Sequence, residues 1–429
     1  MAKEDIKYDV AVIGGGPAGI MASCIAAESG AKTILIERNK QLGKKLLLTG
    51  NGRCNLTNAE FNLRKLVESY GKGGEFLFHA FSVFGPKETV NFFEEIGVET
   101  KIENNKRVFP VRGKAEGVLK ALEKYLAETN VEIIFDSEVV DVEFKNKKIS
   151  KIILKEGEVT AKKYILCLGG KSYSLTGSDG IGYKIAEKLG HTIIKPKPAL
   201  SPIKLKDLFI KDLQGISLED IKVSVFQNGL PAQAGEKQVQ EEGEIMFTHY
   251  GISGPAILNI SGRVGELLDS GLPAQAGEVK ICFDLFPLLN QEQLSKVFDD
   301  MLKKHPNKTI KNILSISLPE RLAEVLSDIA VKDNKKIANN MSKPERLAVV
   351  KILKNFEVTA QELVGFEGAM VTKGGVSLKE IDHKTMKSKI IDNLFFAGEI
   401  IDIDGKTGGF NLQSCWSTGY LAGKSAGTK

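Results

Sequence analysis

Hydrophobic and polar positions change their rhythm several times along the chain. Tyr8–Ile13 is a nearly unbroken apolar run, the pattern of a strand covered on both faces. Gly14-Gly15-Gly16-Pro17-Ala18-Gly19 follows. A small-residue helix then runs over Ala18–Ser29, stopped by Gly30, and a second strand over Thr33–Glu37. This order predicts a βαβ unit. Apolar residues at helical spacing cover Lys87–Ile96 and Ala115–Thr129, and strand-like runs cover Val131–Phe144, Ile149–Leu154 and Tyr164–Leu168. From about Pro196 the pattern turns to short β-like runs broken by Gly and Pro. Two stretches there, Gly229–Glu236 and Gly271–Glu278, both read GLPAQAGE, as two similar hairpin connections would. Asn290–Asn355 predicts three amphipathic helices with capping-box-like starts at Asn290/Gln293, Ser317/Glu320 and Ser342/Glu345. The β texture returns over Phe356–Ile381, and the tail Asn393–Lys429 reads as strand, Gly-rich turn and helix.

These textures predict an α/β domain over 1–195 and 382–429, interrupted by a β-domain over 196–289 and 356–381. That β-domain carries a helical insert over 290–355. The 429 residues are 42% hydrophobic, 26% charged and 7% aromatic, which excludes a disordered chain, a coiled coil and a disulfide scaffold. The five cysteines form no C-x-x-C pair, so neither a redox dithiol nor a zinc ribbon is indicated, and a reducing compartment is expected. Met1–Lys7 is charged and has no signal-peptide core, and no apolar run is long enough to span a bilayer. A cytoplasmic protein without membrane contact is the expectation. Isolated His79, His191, His305 and His383 offer no metal spacing.

Charge changes the picture locally. The sum of 59 Lys and Arg against 54 Asp and Glu, a net of +5, does not point to nucleic acid. Met301–Asn355, however, holds 12 basic and 5 acidic residues, or +7, leaving 5 − 7 = −2 for the rest. The excess belongs to the helical insert, as a solvated Lys-rich face or a docking surface for an acidic partner. Gly is also in excess, at 43 residues.

Gly14, Gly16 and Gly19 lie between a strand and a helix. The first makes the tight turn, the second lets backbone approach a pyrophosphate, and the third lets helix and strand pack closely. The helix N-terminus adds unpaired N–H groups and a positive dipole end. Glu37, 18 residues past Gly19, ends the second strand where a carboxylate can accept from ribose hydroxyls. The tail decides between FAD and NAD. Leu394–Glu399 ends a buried strand in Gly398 and Glu399, and Gly408–Gln413 opens the last helix. An extended FAD has a ribitol and a ring for these to hold; a βα unit completing the sheet is the plainer reading. No second G-x-G-x-x-G follows a strand, so no separate NAD domain is predicted. Gly43–Asn58 (GKKLLLTGNGRCNLTN) suits a segment wrapping a diphosphate or flavin, or any basic surface loop.

The chain resembles the BaiN-like family of NAD(P)/FAD-dependent oxidoreductases, also called YhiN-like flavoproteins, some of which bear the name aminoacetone oxidase. The resemblance spans essentially the whole chain. It rests on GGGPAG at 14–19, GKKLLLTGNGRCNLTN at 43–58, KRVFP at 106–110 and GGKSY at 169–173. FTHYGISGPAIL at 247–258, TKGGVSLKEI at 372–381 and FFAGEIIDIDGKTGGFNLQ at 395–413 complete it. It implies a two-dinucleotide-binding (Rossmann-like) FAD domain with an inserted β-barrel domain that itself carries a helical insert. It implies that Gly14, Gly16, Pro17, Ala18 and Gly19 hold the pyrophosphate and Glu37 with Arg38 the adenosine ribose. Lys45, Thr49, Gly50, Asn51, Gly52 and Arg53 would line the flavin side, with Val139 at the adenine. Gly169 and Gly170 would close on the cofactor, and Gly398 and Glu399 would face the ribitol. Gly409, Phe410, Asn411, Leu412 and Gln413 would present backbone N–H groups to the pyrimidine edge, stabilising negative charge on a reduced ring. Ser174, Val111-Arg112-Gly113-Lys114, Lys406 and Ser414 depart from the family pattern. They leave FAD binding intact but weaken any transfer of substrate identity.

Transfer of hydride to or from flavin N5 often needs one proton donor or acceptor on the substrate. His249 and Tyr250, in the Gly-rich loop Phe247–Pro255, are the catalytic candidates; the plain alternative is a His satisfied by loop backbone beside a packed Tyr. Arg107 could anchor an anionic substrate or make a surface salt bridge. Cys54 and Cys415 flank predicted flavin segments and read as small packed residues. The expected function is an FAD-dependent oxidoreductase acting on a small-molecule substrate, with NAD(P)H as a candidate co-substrate. Reduction of an enone-like C=C and oxidation of an amine beside a ketone are both open. A non-catalytic flavoprotein is the competing class, and an FAD-dependent RNA modifier rests only on the local basic charge.

Overall fold

The computed structural model describes residues 7–112, 114–227, 239–269, 278–331, 333 and 335–428. Both GLPAQAGE stretches, apart from Glu278, lie outside the described residues, as do Met1–Ile6 and Gly113. The chain forms two compact units, Met1–Ala199 with Phe366–Lys429, and Leu200–Gly365.

The first unit is built on a five-stranded sheet in the order Leu394–Phe396, Ala161–Leu166, β1 (Tyr8–Ile13), β2 (Thr33–Ile36), Glu132–Ile134. Every pairing is parallel, and Val12 lies opposite both Ile165 and Leu35. A parallel sheet needs cover on both faces, which explains why β1 and β2 are apolar at consecutive positions. The helix after β1, α1 (Pro17–Glu28), starts with Pro at its first position, where no N–H is needed. It packs on the last helix, Phe410–Gly427, along a seam of small residues. A Cβ on Gly419, Gly423 or Gly427 would lie 2.5–2.7 Å from the carbonyl oxygens of Ala18, Ala22 and Ala26. Only glycine permits that approach. Trp416, fully buried in the last helix, donates Nε1–H to the Leu56 carbonyl at 2.9 Å.

Two expectations change in this unit. The run Val131–Phe144 is two strands, Glu132–Ile134 in the parallel sheet and Val139–Lys145 in a separate antiparallel one. Between them Asp136 takes the left-handed backbone at φ 52. The expected β return over 356–381 also divides. Phe356–Leu363 belongs to the second unit, whereas Val371–Val376 pairs with Ile193–Ala199 in the first. Apolar alternation marks a strand but not its sheet.

The second unit is a closed six-stranded barrel in the order Ile203–Leu205, Gly251–Ser253, Gln240–Phe247, Ser217–Gln227, Val279–Asp284, Phe356–Leu363. Phe247, Phe283 and Phe356 are fully buried, with Phe283 centred 6.2 Å from Phe247 and 5.9 Å from Phe356. The helices Gln291–Lys304, Ile310–Leu314, Glu320–Val331 and Lys343–Lys354 share this core through Leu294, Phe298, Leu322, Leu326 and Val350. The boxes at Asn290/Gln293 and Ser342/Glu345 form. The one at Ser317/Glu320 does not. That helix begins at Glu320, and Ala323 N–H bonds to the Pro319 carbonyl, so Ser317 lies two residues ahead of the cap. The short helix Ile310–Leu314 was not expected; five residues are too few to show a period.

Candidate functional site

An open groove lies at the carboxyl ends of β1 and β2, lined entirely by first-unit residues. This is where ligands sit in open parallel sheets. Gly14, Gly16, Pro17 and Ala18 form one wall, with Glu37, Arg38, Lys45, Val139, Gly169, Gly398 and Glu399 around it. The three motif glycines have separate causes. Gly14 has φ 106, and a Cβ there would lie 2.5 Å from the Cys167 carbonyl oxygen. At Gly19 a Cβ would lie 1.8 Å from the Gly14 oxygen, so this residue sets the spacing of helix and strand. Gly16 is different: its φ of −83 and ψ of −177 suit any residue, and a Cβ would meet nothing within 4 Å. No described neighbour requires glycine at position 16 by contact, the open space there leaves room for a ligand, and the free N–H groups of Ala18 and Gly19 in the first turn of α1 suit a diphosphate.

Glu37 is buried and held on both oxygens. Its Oε2 accepts from Gly15 N–H at 2.7 Å, and its Oε1 accepts from the Asn39 backbone N–H at 2.8 Å and side-chain Nδ2 at 2.6 Å. Carboxylate and glycine turn thus fix each other, leaving remaining acceptor capacity for ribose hydroxyls. Arg38 lines the groove but spends its guanidinium on protein groups: Asp179 at 2.6 Å, Glu138 at 2.8 Å and the Gly177 carbonyl at 3.3 Å. It acts as a clip on the Tyr173–Gly180 segment.

At the other end, Lys45 Nζ meets Glu399 Oε2 at 2.6 Å and donates to Ser172 Oγ at 2.7 Å. Ser172 Oγ in turn donates to Glu399 Oε1 at 3.0 Å, which also accepts Thr372 N–H at 2.7 Å. Thr372 Oγ1 accepts the N–H groups of Lys171 and Ser172. A Cβ on Gly170 would lie 2.4 Å from that oxygen. Four chain segments therefore converge on one ion pair. Ser172 and Thr372 stand inside the GGKSY and TKGGVSLKEI motifs but carried no role in the sequence; nothing local marks a partner 200 residues away.

Thr49–Arg53 and Gly409–Gln413 do not line this groove; Asn55–Asn58, just after the first segment, meets the second in the same unit. Gly50, Asn51 and Gly52 have φ of 56, 55 and 78, a left-handed turn no regular element supplies. Asn55, its amide turned so that Oδ1 accepts Gly409 N–H at 3.0 Å, and Asn58, whose Nδ2 donates to the Gly408 carbonyl at 3.0 Å, join the turn region to the start of the last helix. Gly409 has φ 102, and a Cβ there would lie 2.3 Å from the Thr57 carbonyl carbon. The side chains of Asn411 and Gln413 are structural: Asn411 Oδ1 accepts Gly405 N–H, and buried Gln413 accepts from Thr57 Oγ1 and donates to the Phe84 carbonyl. With Gly409 N–H on Asn55 and Gln413 N–H on the Gly409 carbonyl, what remains for a ligand is the backbone N–H of Phe410, Asn411 and Leu412, as in any helix start.

His249 and Tyr250 lie in the second unit on the turn joining two barrel strands, their rings edge to face at 4.6 Å. His249 is exposed and Tyr250 half-buried. Burial pushes the Cys54 and Cys415 thiols up to about 12, so neither is a thiolate at neutral pH. Among the described residues, no three His, Cys, Asp or Glu side chains gather as a metal site. Nor is any described helix long and apolar enough to cross a membrane. In the helical insert, Lys311, Lys336, Lys354 and Arg346 are paired to carboxylates. Exposed Lys304, Lys308, Lys335 and Lys343 make no ion pair among the described residues.

A parallel five-stranded sheet with this glycine groove, joined to a barrel, defines a Rossmann-type oxidoreductase fold. Residues 8–425 match the model described as the HI0933-like protein Rossmann domain, and the chain belongs to this family of flavoprotein oxidoreductases. It is 33% identical to the 3-dehydro-bile acid delta(4,6)-reductase of Clostridium scindens, over 97% of this chain and 98% of that protein. It is 27% identical to the ribosomal RNA dihydrouridine synthase of Escherichia coli, over 96% of each. The solved 3-ketosteroid-delta4-(5alpha)-dehydrogenase of Rhodococcus jostii shares the fold at 17% identity, with a TM-score of 0.54 over 100% of this chain and 98% of that one.

Proposed function

We propose that this chain is an FAD-dependent reductase of a C=C bond conjugated to a carbonyl, with NAD(P)H as electron donor. The observation that carries the cofactor is Gly16, a glycine whose added Cβ would touch no described neighbour, facing open space at the end of β1. Its neighbours fit FAD: Gly14–Gly19 for the diphosphate, Glu37 for the ribose, the Lys45–Glu399 pair for the ribitol, and, within Gly409–Gln413, the backbone N–H groups of Phe410, Asn411 and Leu412 for the ring edge. Bound FAD supplies hydride transfer at N5. The two relatives described above are named for reduction of a 3-dehydro bile acid and for synthesis of dihydrouridine in ribosomal RNA, and each of these reactions is chemically the saturation of a double bond conjugated to a carbonyl. Saturation adds one hydride and one proton across the bond. His249 or Tyr250 is the proposed proton donor, since both residue types serve as general acids.

Anaerobic mixing with NADH or NADPH should bleach the flavin band, and a 3-oxo-Δ4 steroid should restore it. A flavin that neither nucleotide bleaches rules out the donor; one that no conjugated enone reoxidises rules out the reaction. His249→Ala or Tyr250→Phe should slow reoxidation by about 100-fold or more if that residue delivers the proton, leaving the bleaching step unchanged.

A second reading, uridine in RNA, has one observation in its favour. The segments carrying exposed Lys308 and Lys335 lie together in the insert, where Ala338 N–H bonds to the Lys308 carbonyl and Ile310 N–H to the Lys336 carbonyl. RNA held there should bind with a steep salt dependence.

A further inference from the structure

The hairpin carrying Arg107 has features that the cofactor reading does not use. Thr57–Asn58, Arg107–Pro110 and Thr100–Ile102 form a small antiparallel sheet in the first unit, with Asn58 opposite Arg107. Asn58 Nδ2 donates to both the Asn105 carbonyl and the Gly408 carbonyl. It ties the hairpin to the start of the last helix, the segment assigned above to the ring edge. Asn105 and Lys106, the two residues before Arg107, both have φ 59. Left-handed backbone at two successive positions is what a tight hairpin turn takes, and it sets where Arg107 leaves the turn.

The charges around buried Phe109 are unequal. Arg53 lies 4.0 Å over its ring and pairs with Glu103 at 2.6 Å, and Lys101 pairs with the same carboxylate at 2.8 Å. These two cations hold Glu103 down to about 2, so it stays ionised and engaged. Lys106 is taken by Glu60. Arg107, half-buried with its guanidinium 5.9 Å from the Phe109 centroid, donates Nε–H to the Asn104 carbonyl and makes no ion pair among the described residues. Four cations face two carboxylates, and the one unneutralised guanidinium is the one held by backbone at Nε. Its two terminal nitrogens form a fork that matches a carboxylate.

We infer that Arg107 is the anchor for a carboxylate carried by the substrate, held away from the reacting double bond. This rests on the reductase reading and adds the substrate's class: an organic monoanion. A single open guanidinium with a local excess of about two charges suits one carboxylate better than a run of phosphates, which needs several cations in a row.

The test is binding of a 3-oxo-Δ4 bile acid and of its methyl ester to oxidised holoenzyme, followed by perturbation of the flavin spectrum. The acid should bind at least about tenfold tighter than the ester, the expected worth of a charge-assisted pair. R107Q should abolish that preference, and R107K, which keeps the charge but not the fork, should restore part of it. An acid-to-ester ratio in R107Q equal to the wild type overturns the anchor, as does a wild-type protein that shows no preference. If R107Q instead weakens binding of a uridine-containing RNA oligonucleotide and leaves the ratio intact, the site reads phosphate and the inference fails. Reduction is scored separately. Acid that binds with the expected preference but is never reduced defeats the reductase reading and leaves the anchor standing.

Discussion

Gly16→Ala separates a ligand requirement from a folding requirement. The backbone at position 16 is ordinary extended chain, and an added methyl touches no protein atom within 4 Å. Replacing Gly by Ala at a compatible position stabilises a protein by about 0.4–1 kcal/mol, through the unfolded chain. Position 16 is also the N-cap of α1, where Ala is less favourable than Gly, so the two effects offset and the variant without cofactor should melt close to the wild type. Its cofactor affinity should fall. A diphosphate pushed back by about 1 Å loses charge-assisted hydrogen bonds worth about 1.5–3 kcal/mol each, or roughly 10- to 100-fold per bond. Gly19→Ala is the contrast: its Cβ would sit 1.8 Å from the Gly14 oxygen, so folding and binding should fail together. The assay is FAD binding by fluorescence quenching alongside thermal melting with and without FAD. A Gly16→Ala protein that binds FAD as tightly as wild type would refute the reasoning, as would one that loses several degrees of melting temperature without cofactor.

Other expectations concern the network and the core. Lys45→Met strands Glu399, 15% exposed, beside Ser172 and Thr372, and should cost about 1–3 kcal/mol in urea unfolding. A cycle with Glu399→Gln should show coupling above about 0.5 kcal/mol. Trp416→Phe removes the donor to the Leu56 carbonyl and should lower stability by about 1–3 kcal/mol, read by the same denaturation. His191 is fully buried, with Nε2 2.9 Å from Ser388 Oγ and Nδ1 3.3 Å from Glu380. Burial holds its imidazole below the ordinary 6.5, Glu380 opposing, so the unfolded chain takes up the proton more readily. Its contribution is complete above about pH 6.5 and is lost as pH falls through the lower folded value. His191→Asn should flatten that part of the stability profile; an unchanged slope would count against the assignment. Glu380 is itself held low, so its own contribution fades only at more acid pH.

What could be read in advance followed the range of each signal. β1, α1 and β2 are local, and Gly14, Gly16, Gly19 and Glu37 announce themselves by spacing within thirty residues. The Ser172–Glu399–Thr372 network could not be read that way, because its members come from separated segments and each looks like an ordinary loop residue alone. Arg38 shows the limit from the other side. It stands next to Glu37 and lines the groove, yet its guanidinium is committed to Asp179 and Glu138, acids that no local pattern pairs with it. Val371–Val376 carries the same β texture as the barrel strands, and only its partner Ile193–Ala199 assigns it to the first unit. Ser317 met the capping rule, but Pro319 stands between it and Glu320 and takes the cap position.

The glycine seam between α1 and the last helix also works as a ruler. Ala18 faces Gly419, Ala22 faces Gly423 and Ala26 faces Gly427, so the helices run in the same direction, and the last helix begins eight residues farther out than α1. At 1.5 Å per residue, its positive end stands about 12 Å beyond that of α1. Two electropositive tips at a fixed offset select for length as well as charge: they suit a molecule anionic at one point and electron-rich a little over a nanometre away. Slipping the seam by one glycine would change that offset by about 6 Å. The seam therefore gauges the cofactor, although only Ala18 among its six residues is itself offered as a ligand.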